Sequence, residues 1–366
     1  MSFSCGFVGL PNVGKSTLFN ALSGGGAEAA NFPFCTIEPN TGVVPVPDER
    51  IQVLAKLEKS AKLVPSTLKF IDIAGLVKGA SEGQGLGNQF LGHVRSVDAI
   101  AHVVRVFADP DVVHVDGEIN PVNDLEIIMT ELMLADLEML ERRLEKSKKL
   151  MRSGDADTKA ELELALSFKA QLADGKRPEY DRGNPALAKI AGGMGLLTIM
   201  PAFICANVDE DNFREFGKNE ATKQLLAYAA EHDMEVIPVC AKLEEEMRRL
   251  DPEDAAMFLE DLGVSETGLT RVIHTGYRLL NHITFFTAGP METRAWTITN
   301  GTAAPEAAGK IHTDMCRGFI RMEVVSYEDM VEYQGWNNAK TAGKLRIEGK
   351  EYIVKDGDVI HVRFSV

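Results

Sequence analysis

Near the amino end, the stretch Gly9-Leu-Pro-Asn-Val-Gly14-Lys15-Ser16-Thr17 sets two glycines ahead of a lysine and two hydroxyl residues. That pattern, GxxxxGK[ST], suits a nucleoside triphosphate. The glycines let the chain curl so that main-chain N–H groups face phosphate oxygens. Lys15 brings a point charge to the β- and γ-phosphates, and the Ser16 hydroxyl reaches Mg²⁺. Asn12, Val13, Gly14 and Thr17 complete the cradle. The apolar run 3–9 before it and the helix-compatible residues from Lys15 onward predict strand, loop and helix, the context this chemistry requires.

A second pattern, Asp72-Ile-Ala-Gly75, closes the apolar run Leu68 to Ile73. DxxG at a strand end places the Asp72 carboxylate near Mg²⁺ and the Gly75 N–H near the γ-phosphate. Thr36, within Phe34-Cys35-Thr36-Ile37, is the threonine expected to close over the metal from the intervening loop. Many such hydrolases follow DxxG with a glutamine that orients the attacking water. Here that residue is Leu76, which cannot do so. Another group or a partner must act, and His93, His102 and His114 are the candidates; His114 lies in the acidic, loop-like stretch 109–117. Gly79, Gly83, Gly85 and Gly87 suit a mobile switch after Gly75 and Leu76.

A third pattern bears on the base. In GTPases of this class, N-K-x-D reads guanine through its aspartate. The corresponding segment is Asn207-Val208-Asp209-Glu210, so valine replaces lysine and a longer carboxylate replaces aspartate. Asn207 can still pair with adenine, which favours ATP over GTP. Cys240-Ala241-Lys242 matches the SAK loop that lines the base from the other side.

The elements that must position these residues follow from periodicity. Strands are expected at 3–9, Leu68 to Ile73, Ala99 to Phe107, Thr198 to Ala206 and Met234 to Val239, separated by helical patterns. That predicts an α/β nucleotide domain with a parallel sheet over 1–125 and 191–277. Residues 126–190 interrupt it. Apolar residues from Leu125 to Leu144 recur at spacings of three and four, a polar break follows at Ser153-Gly154-Asp155, and a second helix is expected over Ala156 to Ala173 with Leu162, Leu166 and Leu172 as its apolar points. The reading is a helical hairpin, either packed on the domain or projecting as a coiled-coil arm. At its tip, Arg142, Arg143, Lys146, Lys148, Lys149 and Arg152 face only Glu145, a solvated face or a phosphate-backbone contact. Residues 278–366 read as a small module with strands at Thr297 to Thr299, Phe319 to Val325, Lys344 to Ile347, Tyr352 to Val354 and Val359 to Phe364.

With 366 residues, the chain is too long for one core. Its net charge of −15 argues against wrapping nucleic acid over the whole surface. That charge is uneven: 126–190 holds 13 acidic and 12 basic residues and 278–366 holds 11 of each. No apolar run is long enough to span a bilayer, and the amino end lacks a basic region, so neither a membrane span nor a signal peptide is expected. Five cysteines without close pairs predict free thiols, each a small buried hydrophobe, in a reducing compartment, the cytoplasm.

Taken together, GLPNVGKST, NFPFCTIEPN, DIAGLVKGASEGQGLGNQFL, NVDE, CAKLEEE and TAAPEAAGKIHTDMCRGFIRMEV resemble the YchF branch of the Obg-like ATPases, in order along essentially the whole chain. The resemblance implies a P-loop domain split by a coiled-coil arm and followed by a β-grasp module called TGS. It implies ATP preference, Mg²⁺ dependence, slow hydrolysis and binding to the ribosome or its large subunit. RNA is a further candidate partner, through the basic arm tip and the TGS face. It implies that His114 replaces the missing glutamine, that Asn12 is associated with potassium activation, and that adenine packs near Val208 with Phe107 as a second wall. It gives Asp209 no role. Two other readings compete: a translation-factor GTPase with Glu210 standing in for aspartate, and a nucleotide-gated scaffold whose turnover is incidental.

Overall fold

The computed structural model describes residues 3–24, 40–75, 86–107, 119–150, 156–247 and 249–365. Strands β1 (Ser4–Val8), β2 (Thr41–Pro45), β3 (Leu63–Val64), β4 (Thr67–Asp72), β5 (Ala99–Arg105), β6 (Ala202–Asn207) and β7 (Val236–Val239) follow in chain order. All but β3 join one sheet in the order β2-β4-β1-β5-β6-β7. β2 runs antiparallel to β4, and the other neighbours are parallel. β1 and β5 are buried at every residue, as strands covered on both faces must be. In a parallel sheet the carboxyl ends of the strands lie on one edge, and loops there collect ligands. The phosphate motif, Asp72, Phe107, Asn207 and Lys242 all sit at or just beyond such ends.

The strand expected at Thr198 to Ala206 begins only at Ala202. The preceding backbone is engaged elsewhere: the Asp136 carboxylate accepts from Leu197 N at 2.9 Å and from Thr198 N at 2.8 Å, and Arg177 Nε donates to Thr198 O at 2.7 Å. The strand expected to reach Phe107 stops at Arg105.

The long helix spans Pro121–Leu150 without a break. Its first half packs on the sheet through Leu125, Ile128, Leu132 and Ala135, and its second half packs through Leu140 and Leu144 on the helix Ala156–Ala173. Packing therefore hands this helix from domain to arm near Asp136, further along than the expected boundary at 126. A third helix, Pro185–Met194, closes the arm base through Ala191 and Met194, which the two-helix hairpin did not anticipate. Leu166, expected as an apolar contact, is 51% exposed. None of the described helices is long and apolar enough to cross a membrane.

The carboxyl-terminal sheet adds β8 (His282–Thr287), β9 (Thr293–Thr299), β10 (Phe319–Ser326), β11 (Arg346–Glu348) and β12 (Asp358–Phe364), in the order β11-β10-β12-β8-β9-β3. β8 and β9 form an antiparallel hairpin, the helix Ala304–Ile311 follows, and β12 inserts beside β8 in parallel: a β-grasp module. β8 was not expected from the sequence, and Tyr352 to Val354 forms no strand, contributing only the bridge between Ile353 and Ala303.

The first domain reaches into this module. Between β2 and β4 the chain leaves to form the helix Glu49–Leu57 and then β3, which joins β9 in parallel. Ile51 and Leu54 share an apolar cluster with Phe286, Val325, Met330 and Val359. Arg50 pairs with Asp356 at 2.6 Å, Glu58 accepts from Trp336 N at 2.8 Å, and Ser60 and Thr293 hydroxyls lie 2.7 Å apart. The split at 278 thus separates the chain but not the cores, because residues 49–64 pack with the later segment.

Candidate nucleotide-binding site

The helix Lys15–Ser23 starts directly at the phosphate motif, with Gly14 as its N-cap at φ 94° and no acidic residue in its first turn. Its N–H groups and dipole are thereby left to an anion. Two observations explain why glycine occupies position 14: the left-handed backbone, and the Asn207 amide nitrogen, against which a Cβ there would collide. That nitrogen donates to Val13 O at 3.0 Å, so Asn207, at the end of β6, also braces the phosphate loop. Its remaining amide atoms are those that could meet a base. Asn12 also takes a positive φ, at 63°.

Lys15 is buried, and its ammonium donates to Gly9 O at 3.0 Å and Leu10 O at 2.7 Å. Burial lowers its pKa to about 8, against the pull of Asp72. Gly75 comes so close that a Cβ would stand 3.1 Å from the Lys15 ammonium and 3.2 Å from Pro11 N. DxxG and the phosphate loop therefore face one another. Ser16 Oγ donates to Asp72 Oδ2 at 2.7 Å. One hydroxyl and one carboxylate oxygen at this spacing are hard donors that fit Mg²⁺. Thr36, Leu76 and His114 lie outside the described residues.

Of the other histidine candidates, His102 is excluded. It sits in mid-strand in β5, buried among Met129, Leu132 and Met200 on the arm side, and burial, with the charge of Arg177, lowers its pKa to about 4. His93, in the last turn of the helix Leu86–Val94, does not line the cavity beside the phosphate loop.

That cavity, of about 1160 Å³, is bordered by Gly14, Phe107, Val208, Glu210, Ala241 and Lys242 among others. Val208 is buried and forms an apolar wall. Glu210 opens the short helix Glu210–Arg214 and reaches Arg214 at 3.5 Å and Lys242 at 4.0 Å. Asp209, given no role from the sequence, accepts from Asn212 N at 2.8 Å and caps that helix, which fixes where Glu210 stands. Cys240 is buried beside the cavity, and burial raises its thiol pKa. Cys5 and Cys205 are buried as expected, whereas Cys316 is exposed, on a short helix, Thr313–Arg317, that buries no residue.

Sequence reasoning missed Arg105. This arginine lies inside the apolar run Ala99 to Val106, is 2% exposed and lines the same cavity. A charged residue inside an apolar run was the signal available. At the arm, Arg142 and Arg143 pair with Glu138 and Glu161, so two of the basic residues singled out there are already engaged. The side chains of Lys146, Lys148 and Lys149 lie outside the described residues, as does Arg152.

A strand, a phosphate loop opening a helix, a Ser16–Asp72 pair fit for a metal and a cavity beside them, along one edge of a mostly parallel sheet, make this a P-loop nucleotide hydrolase. Residues 4–137 match the family profile described as "50S ribosome-binding GTPase". Residues 282–365 match the YchF-GTPase carboxyl-terminal family, described as a protein of unknown function. The chain is 52% identical, over the full length of both, to the "Ribosome-binding ATPase YchF" of Escherichia coli O157:H7. It is 50% identical, again over both full lengths, to the protein of that name from Bacillus subtilis. The solved structure of the Schizosaccharomyces pombe YchF GTPase is 38% identical and superposes with a TM-score of 0.88, covering 99% of this chain and 98% of that one. The chain belongs to the YchF family.

Proposed function

We propose that this protein is a slow, Mg²⁺-dependent ATPase that hydrolyses ATP to ADP and phosphate, binds the 70S ribosome and its large subunit, and acts in the cytoplasm as a conformational switch in translation or stress response. The observation that carries the base preference is Glu210. Its carboxylate is longer than the aspartate that reads guanine and is turned toward Arg214 and Lys242, while Val208 presents an apolar wall. The relatives from Escherichia coli and Bacillus subtilis bear the name of ribosome-binding ATPases.

In this reading the loop Asn12 to Thr17 binds the triphosphate, and Lys15 neutralises charge at its β- and γ-phosphates. Ser16, Asp72 and Thr36 hold Mg²⁺, which supplies further charge neutralisation when bound. Asn207, Val208, Glu210, Ala241, Lys242 and Phe107 surround the base. His114 orients the attacking water in place of Leu76, Asn12 serves a potassium ion, and turnover resets the loops around Thr36 and Gly75-Leu76. The arm and the β-grasp module report that state to the ribosome, with RNA met by the arm tip and the module's face.

Calorimetric competition between ATP and GTP tests the base assignment: ATP is expected to bind more tightly, and a clear preference for GTP overturns it. The GTPase reading is kept because the fission-yeast protein and the matched profile carry that word. For the ribosome, neutralising Lys146, Lys148 and Lys149 is expected to weaken co-sedimentation and lower its salt dependence, by about one log–log unit of slope for each phosphate left without its cation. Unchanged co-sedimentation rules out the arm tip as the ribosome-facing surface.

A further inference from the structure

Arg105 is among the largest fully buried side chains of the protein and stands at the carboxyl end of β5, in register with Asn207 of β6. Arginine is seldom buried without a task, because its charge must leave water. Here the guanidinium carbon lies 4.9 Å from the centroid of the Phe107 ring, and Nε donates to Phe107 O at 2.9 Å. One side chain therefore holds both the backbone and the ring of a single residue two positions on. Phe107 is only half-buried and borders the nucleotide cavity, as Val208 does on the neighbouring strand end. Val106 N donates to Asn207 O at 2.9 Å, which ties the two strand ends together.

We propose that Arg105 is a positioning residue for the nucleotide base: it braces Phe107 as a preset aromatic wall. The idea rests on the reading of this cavity as the base site. A phenylalanine beyond a strand end would otherwise have to be ordered when the nucleotide arrives, and that ordering would be taken from affinity. The guanidinium occupies one face of the ring, so the other face is the one a stacked base would use. Cation–π contact at a desolvated site is worth enough to hold that orientation.

The test is a double-mutant cycle in the full-length protein with Arg105→Met, Phe107→Leu and both together. ATP and inorganic tripolyphosphate, which engages the phosphate loop without a base, are each titrated. Arg105→Met is expected to weaken ATP about tenfold, raise KM with little change in kcat, and leave tripolyphosphate affinity unaltered. In the Phe107→Leu background the same substitution is expected to add nothing further. Arg105→Lys, which keeps the stem and charge but not the planar stack, is expected to fall between and carries the cycle if the methionine variant fails to fold. ATP affinity equal to the parent, an undiminished effect without the Phe107 ring, or an equal loss for tripolyphosphate each overturns the brace. The cycle can be run with whichever nucleotide binds, so a GTP preference in the parent would sink the ATP assignment and leave the brace to be judged by its own coupling.

Discussion

Lys15 sets the pH response of the site. In the free protein, burial holds its pKa near 8, with Asp72 opposing. A triphosphate placed beside the ammonium favours the charged form and raises that pKa, so binding takes up a proton at any pH between the free and bound values. Affinity is expected to be flat well below pH 8 and to fall as the pH rises through it, by up to tenfold per pH unit. Calorimetric titrations between about pH 7 and pH 9, in buffers of different ionisation enthalpy, read both the decline and the proton uptake. A constant affinity across that range would contradict the assignment of Lys15 as the phosphate's nearest cation.

Among the elements, the helix Pro121–Leu150 is the one whose two halves answer to different partners. Asp136 stands where they meet, fully buried, accepting from Leu197 N, Thr198 N and Thr198 Oγ1. Burial raises its carboxyl pKa while these donors pull it down. Asparagine at this position has one acceptor oxygen and turns an N–H₂ toward donors, so Asp136→Asn is expected to destabilise by about 3 kcal/mol. The melting temperature would drop, and amide exchange at Leu197 and Thr198 would speed up ahead of the sheet. A melting point within about a degree of the parent would mean that the join between arm and domain rests on apolar packing alone.

For the whole molecule, the consequential feature is that the chain between β2 and β4 belongs to the far sheet. It joins β2 to the strand that ends in Asp72, and along the way it adds a helix and β3 to the β-grasp module. Each domain therefore completes its neighbour, and the two are expected to melt in a single calorimetric transition. Leu54, at 0% exposure, anchors the insertion. Leu54→Ala is expected to cost about 2–5 kcal/mol and to hasten amide exchange in β9, on the other side of the interface. Two separate transitions, or exchange confined to residues 49–64, would show that the cores fold independently.

What the sequence determined by itself is local. The phosphate loop, Asp72 with Gly75, and the segments at Asn207 and Lys242 could be read because each rests on a few residues at fixed spacing next to a strand, and the chemistry tolerates little else. The helix from Pro121 could be read because its apolar residues recur without a breaking Gly or Pro. Tertiary structure alone decided the rest. Thr198 leaves its strand because a carboxylate 62 residues earlier in the chain takes its N–H; Asn207 becomes a brace because Gly14 makes room for its amide; and β3 joins a sheet more than 200 residues on because its backbone pairs with β9 and the helix before it buries Ile51 and Leu54 there. Contacts between segments remote in the chain leave no periodic trace in either, so only the folded chain reveals them.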